Sequence, residues 1–131
     1  MEHKGSTMPS YKGIDFYNIE SHLTEEEIMV RDLVRDWVSD RVLPIIDEHY
    51  MAGTFPTDLI SEIGEMGLFG CNHDTKYGCA GMSNIAYGLI CQELERGDSA
   101  IRSFVSVQGS LCMYPILAYG DEDQKNKYIP K

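Results

Sequence analysis

The residues best suited to chemistry are an arginine and several serines within one helical segment. Ser99, Ser103, Ser106 and Ser110 follow one another at spacings of four, three and four residues, so they line one face of a helix. Arg102 lies one turn before Ser106 and points in the same direction. A guanidinium and a hydroxyl in this arrangement can hold a carboxylate through charge-assisted hydrogen bonds. The pattern therefore predicts an anion clamp centred on Arg102.

A simpler interpretation of Arg102 stays open. Asp98 precedes it by four residues, in the order that favours an ion pair within a helix. Serines along a helix can also simply permit close helix packing. The rest of the segment is strongly apolar, so an arginine there is either paired or available to an anion.

The other chemistry-bearing residues form weaker patterns. The glycines between residues 64 and 81 match neither common phosphate-binding motif. The histidines lack metal-binding spacing, so no metal site is expected at His3, His22, His49 or His73. The cysteines form no C-x-x-C pair and are expected to be buried, reduced thiols, which favours a cytoplasmic protein. Solvated helix faces are the expected environment of Glu62, Glu65, Glu93 and Glu95.

Composition narrows the class of protein further. The chain has 131 residues, of which 43% are apolar and 24% charged, as in ordinary globular domains. Its net charge of −10 offers no positive field for nucleic acid or for an anionic membrane surface. No apolar run is long enough for a transmembrane helix, and the first residues do not resemble a targeting peptide.

Helical periodicity dominates the chain and predicts an all-α, bundle-like fold of four to six helices. Thr24 and Glu27 form a capping box for the first helix, which Pro44 ends or kinks. Further helices are expected from about Pro56 to Gly67, from Ile85 to Arg96, from Ser99 towards Tyr119, and after the cap Asp121. Residues 1–20 are predicted to be a flexible arm and residues 21–131 a helical domain. The weak ending Ile129-Pro-Lys131 suggests a longer polypeptide.

Several motifs in a fixed order resemble the acyl-CoA dehydrogenase family over roughly residues 15–131. The resemblance is strongest towards the glutaryl-CoA dehydrogenase branch. It is carried by Tyr77-Gly-Cys-Ala-Gly81, Ala86-Tyr-Gly-Leu89, Glu93-Leu-Glu-Arg96, Asp98-Ser99, Arg102-Ser103, Ser106-Val-Gln108, Tyr119-Gly120 and Lys127-Tyr-Ile-Pro130.

This resemblance implies an N-terminal helical domain whose family continues into a β-domain and a second helical domain. It implies FAD as cofactor, bound mainly by those later domains, and a catalytic glutamate beyond residue 131. It further implies an acyl-CoA substrate, an electron-transfer flavoprotein as electron acceptor and a homotetrameric assembly. No catalytic residue is expected in this chain.

The branch assignment implies roles for three residues. In the motif R-S-x-x-S-V-Q of glutaryl-CoA dehydrogenases, the arginine binds the distal carboxylate of the substrate with help from the second serine. Arg102, Ser103 and Ser106 hold the matching positions. The implied reaction is desaturation of glutaryl-CoA with loss of CO₂ to give crotonyl-CoA. The alternatives are a non-decarboxylating enzyme, another dicarboxyl-CoA substrate, another acyl-CoA dehydrogenase or oxidase of the superfamily, and a non-enzymatic helical binding or assembly module.

Overall fold

The computed structural model describes residues 16–130, which form six continuous α- and π-helical stretches, two short 3₁₀ helices and no strand. The predicted all-α fold is therefore confirmed. Its α-helices are α1 (Glu25–Trp37), α2 (Ile46–Ala52), α3 (Leu59–Glu65), α4 (Asn84–Gly97), α5 (Ser99–Ser106), α6 (Tyr114–Tyr119) and α7 (Glu122–Tyr128). A π-helical segment at Val38–Val42 continues α1, and a second one at Val107–Met113 joins α5 to α6.

The first part of the chain is only partly described. Residues 1–15 of the predicted arm lie outside the described residues. Ile19–His22 form a short 3₁₀ helix, which an ion pair between Glu20 and Arg31 ties to α1. Within residues 16–130, no helix has the length and apolar character needed to cross a membrane.

Helix α1 begins with the predicted capping box. The Thr24 hydroxyl accepts the Glu27 amide at 3.2 Å, and the Glu27 carboxylate accepts the Thr24 amide at 3.0 Å. The same carboxylate accepts the Ser83 hydroxyl at 2.6 Å, and Ser83 caps α4. One carboxylate therefore joins the starts of α1 and α4.

Helices α1 and α4 run parallel and are in close contact at their far ends. A Cβ on Gly97 would lie 2.8 Å from Val38 Cγ1 and 3.1 Å from Val42 Cγ1. Both valines are fully buried. The close approach thus requires a residue without a side chain at position 97. The surrounding core comprises Val34, Val38, Val42, Leu59, Ile63, Leu68, Cys71, Ile90, Leu94, Ile101 and Val105.

A buried ionic cluster also joins these two helices. Glu93 was expected on a solvated face, but it is only 1% exposed. Arg35 and Arg96 donate to its two oxygens at 2.7 and 2.9 Å. Burial raises the pKa of Glu93, but these hydrogen bonds outweigh that effect and hold the pKa below its ordinary value. The expectation was wrong because the arginine partners on two helices compensate the carboxylate.

Two local features differ from the sequence expectation. Helix α2 was not predicted, because no side chain caps its start. The helix ends at Gly53, which has a left-handed backbone conformation with φ of +65°. The helix predicted from Ser99 towards Tyr119 is continuous but contains the π-helical segment. There Gly109 lies against the backbone of Gly70, where an added Cβ would be 3.3 Å from the Gly70 nitrogen.

The cysteines also depart partly from expectation. All four are free thiols, and Cys71 is fully buried. Burial raises its pKa to about 11. Cys112, however, is exposed on the π-helical segment, so the expectation of buried thiols fails there.

Gly97→Ala is expected to lower the free energy of unfolding by about 1–3 kcal/mol, because the new methyl group overpacks the contact with Val38. Gly88→Ala is the matched control on the same helix, where an added Cβ meets no atom within 4 Å. That change should raise the free energy of unfolding by up to about 1 kcal/mol. Urea unfolding of both variants checks this. Equal effects would contradict the close contact.

Glu93→Gln is expected to lower the free energy of unfolding by about 1–3 kcal/mol at pH 7, since it removes charge-assisted bonds to two arginines. Because the folded pKa of Glu93 is lowered, its stabilisation is present above the unfolded pKa. The difference between wild type and variant should shrink as the pH falls through the lowered pKa. Urea titrations between pH 7 and pH 3 measure it. Glu122→Gln, at an exposed ion pair, is the control and should cost little.

Candidate functional site

Arg102 is positioned by a sharp corner between α4 and α5. Asp98 is extended, with φ of −166°, and its carboxylate accepts the amides of Ala100 and Ile101 at 2.8 and 3.2 Å. This cap starts α5 directly after α4 and folds the two helices against each other. Arg102, on the first turns of α5, consequently faces the last turns of α4.

The Arg102 guanidinium has two partners among the described residues. Its Nε donates to the Glu95 carboxylate at 2.6 Å, and its Nη1 donates to the Ser106 hydroxyl at 3.3 Å. The hydroxyl of Ser99 donates to the other Glu95 oxygen. A guanidinium has five N–H donors, and within residues 16–130 these bonds use Nε and Nη1 but not Nη2. Arg102 thus retains donor capacity next to a hydroxyl.

The ion pair expected between Asp98 and Arg102 is not formed. The Asp98 side chain caps α5, and Arg102 is paired instead with Glu95, seven residues earlier. That carboxylate holds the pKa of Arg102 above its ordinary value, and Arg102 in turn lowers the pKa of Glu95. Glu95 was expected to be simply solvated. It is half-exposed, but it orients the guanidinium.

The structure brings Arg102 and Ser106 together and places Ser103 beside them. The Ser106 hydroxyl donates to the main-chain carbonyl of Ser103 at 3.2 Å, so this residue contributes its backbone to the arrangement. Both serine side chains are half-buried. The Arg102 side chain is 36% exposed, so the guanidinium lies at the surface of this chain rather than in a closed cavity.

Sequence reasoning missed a stripe on α4 that faces Arg102. Tyr87, Cys91 and Glu95 follow at intervals of four residues and lie on one face of the helix. Burial raises the pKa of Tyr87 to about 12, and the charge of Arg102 opposes that effect. Burial likewise raises the pKa of Cys91, which Arg102 again opposes. The four-residue spacing of these three residues, just before the corner at Asp98, was the sequence signal that could have predicted this face.

A separate depression of about 450 Å³ lies between α6 and α7. Its lining is mostly apolar and includes Ile116, Tyr119 and Tyr128, but not Arg102. Within residues 16–130 no three metal-ligating side chains cluster. The Arg102 group is therefore the arrangement with the clearest chemical capacity, which is to bind an anion through a guanidinium and a hydroxyl.

Comparison with known proteins gives this geometry a family context. Residues 24–131 match the family described as Acyl-CoA dehydrogenase, N-terminal domain. An acyl-CoA dehydrogenase of Bacillus subtilis (strain 168) is 37% identical over 109 residues, covering 83% of this chain and 29% of the relative. The chain belongs to the acyl-CoA dehydrogenase family and corresponds to its N-terminal domain.

Solved structures of similar proteins agree with this assignment. A glutaryl-CoA dehydrogenase from Mycobacterium smegmatis aligns with a TM-score of 0.81 and 51% identity, covering 86% of this chain and 29% of that one. A glutaryl-CoA dehydrogenase from the same organism, in complex with FADH2, aligns with a TM-score of 0.83 and 42% identity, covering 87% and 29%. The chain thus spans less than a third of the length of these relatives.

Arg102→Ala is expected to raise the pKa of the Glu95 carboxyl towards its ordinary value, because the largest cause of its lowering is the hydrogen bond from Arg102. An NMR titration of the Glu95 side-chain carboxyl carbon measures this shift. Asp98→Asn keeps a side chain that can cap α5 and should leave the Glu95 titration unchanged. A Glu95 pKa that does not respond to loss of Arg102 would contradict the ion pair.

Proposed function

We propose that this chain is the N-terminal domain of an FAD-dependent acyl-CoA dehydrogenase that acts on glutaryl-CoA. Arg102 binds the distal carboxylate of the substrate, with Ser103 beside it and with Ser106 as a second donor once its hydroxyl proton turns from the Ser103 carbonyl to the substrate. The observation that carries this proposal is the pairing of the guanidinium. Its Nε binds Glu95 and its Nη1 binds Ser106, and among the described residues these bonds do not use Nη2. The likeness to glutaryl-CoA dehydrogenases supports it.

The charges around Arg102 fit this role. Glu95 is the acidic partner that balances the guanidinium without a substrate. An incoming carboxylate does not have to displace Glu95, because it can accept from Nη2, and the Ser106 hydroxyl reaches it by turning its one proton away from the Ser103 carbonyl. A neutral acyl chain would bring no acceptor to these donors and would leave part of their hydrogen-bonding capacity unused. Such a site discriminates by the penalty on the wrong substrate as well as by attraction to the right one.

The rest of the proposed reaction lies outside this chain. The intact protein would desaturate the substrate between Cα and Cβ and release CO₂ to form crotonyl-CoA, with a glutamate beyond residue 131 as base. It would work as a cytoplasmic homotetramer and pass electrons to an electron-transfer flavoprotein. FAD supplies the hydride-accepting chemistry when it is bound.

The described residues do not themselves fit the diphosphate of FAD. Helix N-termini that bind diphosphates present free amides. Here side chains accept amides at the starts of α1, α4, α5 and α7, and two of these four caps are carboxylates. The starts of α2 and α3 have no side-chain cap, but acidic residues lie in their first turns, where they repel a diphosphate. We therefore assign flavin binding to other parts of the intact protein and derive no step through the flavin.

Arg102→Ala in the intact enzyme is expected to lower kcat/KM for glutaryl-CoA about 10- to 100-fold, because the charge-assisted hydrogen bonds to the substrate carboxylate are lost. KM should rise and kcat should fall, while a neutral acyl-CoA of similar length is spared. Arg102→Lys keeps the charge without the planar fork and should recover only part of the loss. Steady-state kinetics on both substrates measure this.

Arg41→Ala is the matched control, because Arg41 also forms an ion pair, with Glu62 at 2.6 Å, but on the face where α1 meets α3. It should leave the ratio of the two kcat/KM values unchanged. Equal losses on both substrates in Arg102→Ala would overturn the carboxylate role.

A further inference from the structure

His73 lies outside the predicted clamp but contacts the helical stretch that carries Arg102 and Ser106. The Nε2 of His73 lies 2.9 Å from the main-chain carbonyl oxygen of Gly109, in a partly buried position. A carbonyl oxygen can only accept, so Nε2 carries the proton in this contact. His73 belongs to the loop between α3 and α4, whereas Gly109 lies in the π-helical segment after α5.

The Gly109 carbonyl is also the acceptor of a π-helical hydrogen bond. The amide of Tyr114, five residues later, donates to it, where an α-helix would use the amide of Met113. His73 thus occupies the second acceptor position of the same oxygen. The contact therefore lies within the segment that departs from α-helical geometry, and it brings an external donor to an oxygen that takes part in the π-helical hydrogen bonding.

The loop that presents His73 is closely packed. The amide of His73 donates to the Gly70 carbonyl at 2.8 Å, and the carbonyl of His73 accepts the Gly81 amide at 3.0 Å. Gly70 has φ of +59°, and a Cβ there would lie 2.6 Å from Met113 Cε and 2.7 Å from His73 Cδ2. The imidazole is consequently held on a loop with little room to shift.

A continuous chain of bonds leads from His73 to Arg102. The Gly109 carbonyl shares one rigid peptide plane with the amide of Ser110. The Ser110 hydroxyl donates a hydrogen bond to the main-chain carbonyl of Ser106. The Ser106 hydroxyl in turn accepts a hydrogen bond from Nη1 of Arg102. Fixing the Gly109 peptide therefore fixes the support of the Ser106 main chain. Physical contiguity of this kind can carry coupling, which a variant must test.

We propose that His73 is a positioning residue for the Arg102–Ser106 clamp, acting through the Gly109 carbonyl and the π-helical register of Val107–Met113. Its effect on substrate choice rests on the function proposed above. Its effect on the helix does not. His73 touches no substrate atom in this proposal. It sets where the Ser106 hydroxyl stands relative to the guanidinium.

The test compares three substitutions of His73 in the isotopically labelled full chain. His73→Leu removes the donor, and His73→Asn places an amide too close to the backbone to reach Gly109. His73→Gln restores a donor at about the length of Nε2. His49→Leu is the matched control, because His49 also forms a side-chain hydrogen bond, to Thr54 at 2.9 Å, but at the end of α2.

Two NMR signals report on the helix without any enzymatic assay. We expect His73→Leu and His73→Asn to speed hydrogen exchange at the Tyr114 amide at least tenfold and to shift the Arg102 Nε–H resonance. His73→Gln and His49→Leu should leave both signals near wild type. Unchanged signals in His73→Leu and His73→Asn, with only a lower melting temperature, would overturn the proposal. So would His73→Gln behaving like His73→Leu.

Kinetics of the intact enzyme separate this inference from the proposed function. With His73→Leu or His73→Asn, the ratio of kcat/KM for glutaryl-CoA to that for a neutral acyl-CoA should fall about five- to tenfold, and His73→Gln should restore it. A wild-type enzyme without preference for glutaryl-CoA would refute the proposed function, and the NMR signals would still decide the role of His73. A preference that survives every His73 variant would overturn the positioning role alone.

Discussion

The buried Glu93 carboxylate is the interaction on which the arrangement of helices depends. It lies between Arg35 of α1 and Arg96 of α4, so both helices must be in place before its charge is compensated. Removing a carboxylate from water is costly unless such partners are present. Close to it, Gly97 permits the contact with Val38 and Val42. Charge and shape therefore specify the same parallel packing of α1 on α4.

That packing determines where the candidate site can form. Because α4 is fixed against α1, the cap by Asp98 turns α5 back along a defined face of α4. Glu93 and Glu95 are two residues apart and lie on different sides of α4. The first reaches inward to the arginines at the α1 contact, and the second reaches Arg102. A single helix thus supplies both the structural carboxylate and the one that orients the candidate clamp.

The sequence predicted most of the local structure, because capping and periodicity are local signals. The capping box at Thr24 and the cap at Asp121 lie where their spacing indicates. What it could not predict depends on contacts between distant segments. Glu93 looked solvated because its arginine at position 35 is 58 residues away. The π-helical segment contacts His73 and Gly70, and no periodicity within α5 and α6 reveals these contacts.

The same distinction applies to Arg102. An arginine four residues after an aspartate predicts a helical ion pair, but Asp98 gains more by capping α5, since it satisfies two amides there. Arg102 then pairs with Glu95 across the corner. This outcome matters for the proposed function. A counter-ion on the neighbouring helix holds the guanidinium by Nε and keeps its charge compensated before any ligand arrives. The remaining donors are then oriented in advance, so less conformational freedom is lost when a substrate carboxylate binds.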